Sequence, residues 1–128
     1  MKAPSVLILG VPRAGKTTLA GKLGFELGLT PRHTDDLIPL GWSQSSDRAL
    51  TWLDEPGPWI VEGMAAVRAL RKWLKTPHPG EPPFRIIWLD KPRLPLSDRQ
   101  AHLAAGTLTI WREILPELQR RRVAIENA

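Results

Sequence analysis

The chain contains no cysteine. That excludes a fold stapled by disulfides and any zinc site built on thiolates, and it fits a reducing compartment. No stretch approaches the ~20 consecutive apolar residues that a membrane-spanning helix needs. The N-terminal segment MKAPSVLILGVPRAGKTT places one lysine before the apolar run Val6–Leu9. That run is too short for an export signal, and a glycine-rich loop stands where a cleavage site would have to be. Internal repeats and domain linkers are also lacking. These absences point to a cytoplasmic protein without a membrane partner.

What is present suits one globular domain over residues 1–128. The chain has 128 residues, enough to bury roughly two-thirds of its unfolded surface. Its hydrophobic fraction of 42% and charged fraction of 24% are ordinary for a packed domain and argue against disorder. The formal charge of +5 suits an anionic partner such as a nucleotide, a phosphorylated metabolite or a nucleic acid. It also lies within the ~2–8 typical of a soluble small surface.

Residues 5–9, Ser-Val-Leu-Ile-Leu, form a continuous apolar run ending at Gly10, which predicts a strand buried on both faces. Leu19, Leu23 and Leu27 recur at steps of four, predicting a helix over 16–28 stopped by Gly28. A short strand is expected at 31–34, followed by Asp35 and Asp36. Residues 43–54 open with Ser-Gln-Ser-Ser-Asp and predict a side-chain-capped helix, which Pro56, Gly57 and Pro58 end. Trp59–Val61 is a second apolar run, closing on Glu62 and Gly63, and 64–75 returns to helical spacing. Thr76–Pro83 reads as a loop. Phe84–Leu89 is a third strand and ends at Asp90. Ser97 is expected to cap a short helix through Ala105. A separate helix is expected over 107–122, kinked or split at Pro116, and Val123–Ile125 leaves room for a last strand. Strands alternating with helices predict an α/β fold, a three-layer α/β/α sandwich around a short parallel sheet. In such folds ligands sit at the carboxyl ends of the strands. Gly10, Asp35, Glu62 and Asp90 all follow predicted strands, so they converge on one edge.

The sharpest signal is Gly10-Val11-Pro12-Arg13-Ala14-Gly15-Lys16-Thr17, which matches the G-x-x-x-x-G-K-[ST] phosphate loop (Walker A) and continues into Thr18. Glycines let backbone N–H groups approach phosphates without a Cβ in the way, and the following helix N-terminus favours an anion. Lys16 puts a point charge on the β and γ phosphates, and the Thr17 hydroxyl is a ligand for the magnesium that bridges them. The four fixed positions should occur by chance in about one per cent or fewer of chains this long. The flanking strand and helix supply the required context.

Three pieces in order, GVPRAGKTT, HTDDLI and WIVEGM followed by Arg68 and then IIWLDKPR, resemble the small kinases related to nucleoside-monophosphate kinases. That group includes adenylate kinase, shikimate kinase, gluconate kinase, the kinase domain of polynucleotide kinase and the topology modulation proteins. Gly41-Trp42 and Trp59–Gly63 sit as they do in the last of these. The resemblance covers about residues 4–100. It implies strand order 2-3-1-4-5 and magnesium-dependent transfer of the γ-phosphate of ATP to a small-molecule or nucleotide acceptor. It also implies that Asp35, with Asp36 beside it, binds or deprotonates that acceptor. Either acid could instead cap the following turn. The magnesium-supporting acid is Glu62 by the strand order implied, or Asp90 by a plain reading of apolar strand then acid. A lid-like segment over about 91–106 implies Arg99, with Arg93 as the alternative, closing on the transferred phosphate. Trp42 and Arg68 are candidates for the acceptor side.

Other features are less directed. Arg13 could face solvent or phosphate. Arg120-Arg121-Arg122 could touch nucleic acid or simply solvate a helix end. His33, His78 and His102 lie too far apart in sequence to form a motif. The chain offers little sequence for the fifth strand and base-holding loop of these kinases. Two alternative functions therefore stand beside a kinase with ATP and Mg2+: a nucleotide-binding module or weak NTPase without a dedicated acceptor, and a kinase of 5′-hydroxyl nucleic-acid ends.

Overall fold

The computed structural model describes residues 5–78 and 82–128, with the side chains of residues 38 and 39 also outside that description. The predicted loop Thr76–Pro83 is therefore described only at its two ends.

Five strands form one parallel sheet. They are β1 (Ser5–Gly10), β2 (Arg32–His33), β3 (Ile60–Glu62), β4 (Phe84–Leu89) and β5 (Ile125–Asn127), in the order β2-β3-β1-β4-β5. This is the order 2-3-1-4-5 that the resemblance implies. β1 lies at the centre, and every residue from Ser5 to Gly10 is buried, which is why its sequence runs apolar without alternation. Val6 pairs with Ile60 on one side and Arg85 on the other. The expected stub at 123–125 lies two residues further on. Ile125 pairs with Ile86, so a genuine fifth strand exists, beginning where Val123 has finished packing into the core.

Four helices cover the sheet: α1 (Lys16–Leu27), α2 (Trp42–Leu53), α3 (Ala66–Leu74) and α4 (Asp98–Arg120). α1 ends at Gly28, whose left-handed backbone (φ 70°) lets its N–H donate to Gly24 O, as a glycine stop should. Its leucine stripe is only partly inside. Ala20 and Gly24 are buried, Leu19 and Leu23 are half-buried, and Leu27 is 45% exposed.

Two expectations about helix ends are corrected. α2 starts at Trp42 after Gly41, with no side-chain cap. Ser45 instead donates from Oγ to Leu37 O (2.7 Å) and Ser46 to Ser43 O (2.9 Å), so the serines fasten the helix after it has started. The two expected C-terminal helices are one unbroken helix, α4, of 23 residues. Ser97 does cap it, accepting from Gln100 N–H while the Gln100 side chain accepts from Ser97 N–H, a reciprocal capping box. The helix continues past Gly106 because Thr107, Ile110, Trp111, Ile114 and Leu118 carry one buried stripe along it. Pro116 is exposed, as is Arg112, the residue whose carbonyl loses its helical donor. Water can therefore satisfy that group, and the proline is tolerated.

The side chains of β1 alternate between two cores. Leu7 and Leu9 face a large one with α2, α3 and most of α4, where Trp88 stacks on Trp111 (centroids 4.4 Å apart) and Trp73 meets Phe84 edge-on. Val6 and Ile8 face a smaller aliphatic one with α1 and Ala104 of α4.

Candidate functional site

The phosphate loop joins β1 to α1. Gly10 is needed for close approach, since a Cβ there would lie 2.3 Å from Leu89 O of the neighbouring strand. Its requirement is thus contact with β4 and not an unusual φ. Arg13 holds a left-handed backbone (φ 60°), is exposed, and accepts at its carbonyl from Arg93 N–H (2.8 Å). Lys16 curls back under the loop, its Nζ donating to Val11 O (2.7 Å) and Gly10 O (3.2 Å). Burial pushes the Lys16 ammonium pKa below its ordinary value, while the nearby Glu62 and Asp35 carboxylates oppose the shift.

Glu62 closes β3 and is 1% exposed. Its Oε2 accepts from Thr17 Oγ1 (3.2 Å) and contacts His33 Nδ1 (2.5 Å). Asp90, just after β4, is exposed to solvent and does not line the cavity at the loop. The geometry therefore puts Glu62 beside the Thr17 hydroxyl and leaves Asp90 outside.

The chain after β2 turns through a 3₁₀ helix, Thr34–Leu40. Thr34 fixes this turn, its Oγ1 accepting from Ala65 N–H (3.3 Å). The approach is possible because residue 63 is glycine: a Cβ there would fall 1.9 Å from Thr34 Oγ1, and its φ of 131° is one that side-chain-bearing residues rarely adopt. Anchoring the turn thus falls to Thr34. Among the described hydrogen bonds, neither Asp35 nor Asp36 caps it.

One cavity of about 690 Å³ gathers these parts. The loop from Pro12 to Thr18 forms one wall. Asp35, Trp42, Glu62 and Arg99 form others. Asp36 is exposed and does not reach it. Arg68 stands behind Trp42, its guanidinium 5.2 Å from the indole centroid. Burial and the neighbouring Arg71 lower the Arg68 pKa. Arg93 packs over the loop, so close to Gly15 that a Cβ there would come within 2.9 Å of its Cζ. Of the two arginines expected in the lid, Arg99 faces the cavity and Arg93 braces the loop.

The basic run at the far end of α4 is partly occupied within the chain. Arg120 and Arg121 both bind Glu117, and Arg121 also donates to Leu74 O (2.8 Å) and lies over Trp73. His78 stacks on Trp73. The residue that sequence reasoning missed is His33, which the parallel register sets directly beside Glu62. The signal lay in position, one strand residue opposite another, and nothing in the sequence alone pairs two strands that short.

No protein-family model matches the chain, and no curated protein matches it by sequence. Solved structures do. A shikimate kinase from Acinetobacter baumannii in complex with shikimate is similar over 99% of this chain and 83% of its own, with a TM-score of 0.59 and 15% identity. A shikimate kinase from Bacteroides thetaiotaomicron is similar over 98% and 86%, with a TM-score of 0.52 and 12% identity. The chain therefore has the shikimate-kinase-like fold. No helix among the described residues is long and apolar enough to cross a membrane.

Proposed function

We propose that this protein is a small ATP- and magnesium-dependent kinase acting in the cytoplasm, which transfers the γ-phosphate to a small-molecule or nucleotide acceptor. The observation that carries the proposal is the meeting of the phosphate loop, Asp35, Glu62 and Arg99 around one cavity. Within the small P-loop kinases we place it beside the topology modulation proteins. That placement rests on Gly41-Trp42, whose indole lines the acceptor side, and on Trp59–Gly63, which delivers Glu62.

The division of labour follows from charge and reach. Loop amides and Lys16 hold the phosphates, and Lys16 exchanges its carbonyl partners for phosphate oxygens as they arrive. Thr17 Oγ1 donates a hydrogen bond to Glu62, which turns its oxygen lone pairs outward as a hard ligand. The pair thus fits magnesium, which takes oxygen ligands and usually completes its shell with phosphates and water. Bound there, such an ion would neutralise phosphate charge. Asp35 accepts the proton of the acceptor hydroxyl as its oxygen bonds to the γ-phosphorus and the bond to the leaving ADP oxygen breaks. Arg99, at the start of α4, stabilises the charge on the transferring group, and segment 91–106 serves as the lid. Trp42, backed by Arg68, offers the acceptor an aromatic face.

The test is a γ-phosphate transfer screen with radiolabelled ATP over nucleotides, small hydroxylated metabolites and 5′-hydroxyl oligonucleotides. Transfer to a small acceptor that disappears in Asp35→Asn, with ATP binding retained, is expected. Measurable ATP affinity with no transfer to any acceptor would instead support a nucleotide-binding module. The internal pairing of Arg120 and Arg121 with Glu117 speaks against the oligonucleotide acceptor.

A further inference from the structure

We infer that His33 is a positioning residue that orients Glu62 for the nucleotide's magnesium, an inference that rests on the nucleotide reading above. Glu62 is a carboxylate almost fully removed from water. Such a group is costly unless donors surround it. Its two described hydrogen-bond partners come from different elements, Thr17 from α1 and His33 from β2, and both meet the same oxygen, Oε2. A carboxylate oxygen accepts hydrogen bonds, so the His33 tautomer that fits this contact carries its proton on Nδ1. Clamped from two sides, Oε2 cannot rotate away, and Oε1 is left for the cavity that Glu62 lines.

The arrangement has a second consequence. Thr17 can present lone pairs to a cation only while its own proton points at Glu62. Removing the His33 donor leaves Thr17 as the sole described group holding that carboxylate, so the acid and the hydroxyl lose their registration together. Removing a partner that orients a ligand from behind typically costs about tenfold or more in metal affinity. His33 also lies two residues before Asp35, on the strand whose register pairs it with Glu62. One short strand therefore sets both the nucleotide-side acid and the turn that carries the acceptor-side acid.

The test is calorimetric titration of the full chain with a non-hydrolysable ATP analogue, with and without magnesium, on the native protein and on His33→Ala, His33→Asn and His33→Gln. The amide nitrogen of asparagine stands near the place of Nδ1, whereas glutamine carries its amide one bond further out. The native protein is expected to bind more tightly with magnesium. In His33→Ala that magnesium-dependent gain should fall on the order of tenfold while magnesium-free affinity stays unchanged, and His33→Asn should restore most of it. A merely structural role would weaken both conditions alike. An unchanged magnesium gain in His33→Ala overturns the inference, as does His33→Asn behaving like the alanine variant. If His33→Ala does not fold, the contrast of asparagine retaining the gain and glutamine losing it decides, and equal behaviour overturns the inference. Failure of the native protein to bind the analogue overturns the nucleotide reading itself, and this inference with it.

Discussion

The two faces of the sheet are built on different plans. The face of Leu7 and Leu9 is thick and aromatic, with Trp59, Trp73, Phe84, Trp88 and Trp111 in one cluster. The face of Val6 and Ile8 is thin and aliphatic, and the buried residues of α1 behind its charged start are Ala20 and Gly24. Small residues let α1 lie close to the strands, which brings its N-terminus and Lys16 down onto the sheet edge that borders the cavity. The faces also differ in how they treat charge. The thin face ends in a lysine only 8% exposed, whereas the thick face ends, at the far end of α4, in a network of half-buried Glu117 and Arg121 with exposed Arg120. One face therefore stores stability, and the other spends apolar volume on placing a charged loop.

The largest expected effect lies on the thick face. Trp111→Ala removes half of the stacked Trp88–Trp111 pair and should cost about 3–5 kcal/mol by denaturant unfolding. Triphosphate affinity of the folded fraction should stay as it was, and a parallel loss of affinity would erase the distinction between the faces. Next comes Ala20→Leu, which overfills the thin face and should cost about 1–3 kcal/mol. Here the melting temperature and triphosphate affinity should fall together, because α1 must lift.

A smaller effect concerns Lys16. Its folded pKa lies below 10.5, so the unfolded chain holds that proton more tightly, and stability must rise with pH through the window between the two values. The native protein should gain on Lys16→Met as pH climbs from neutrality towards 10.5, read by melting temperature. Parallel curves would show that burial there is not costly to the charge. The smallest effect is at Glu117, whose pKa its two arginines depress to about 2. Its folded value is lower than its unfolded one, so its contribution is present above about pH 4.5 and fades as pH falls towards 2. Lying at the surface, it should be slight and vanish in high salt. Glu117→Gln should lower the melting temperature slightly at neutral pH, and the two curves should converge as pH falls towards 2.

What the sequence disclosed depended on how local the cause was. β1 and β4 stand almost where their apolar runs put them, since a strand buried on both faces needs no partner to be recognised. The Ser97 capping box was half visible, because Ser97 signalled a start within four residues. α4 reads as two helices by local rule, since Gly106 and Pro116 are breakers, and only the buried stripe from Thr107 to Leu118 overrides them. α2 lost its expected cap because Gly41 brings the chain in on its own geometry. In the site, Lys16 and Thr17 stand out from the motif alone, whereas setting Glu62, and not Asp90, beside the Thr17 hydroxyl takes the strand order. His33 was invisible, since its meaning comes from lying opposite Glu62 across two short strands.

The central place of β1 also sets when the site can exist. Its neighbours are not its successors in the chain. Val6 waits for Ile60, and Ser5 waits for Phe84. Contacts this distant in sequence form slowly, because the intervening chain must be ordered before they repay the closure. The loop precedes β3 and β4 in the chain. Yet its Gly10 corner is shaped by Leu89, and its Arg13 carbonyl is held by Arg93. The shape of the loop is thus completed only once β4 has docked, and a nascent chain that stops short of β4 carries the motif without that geometry.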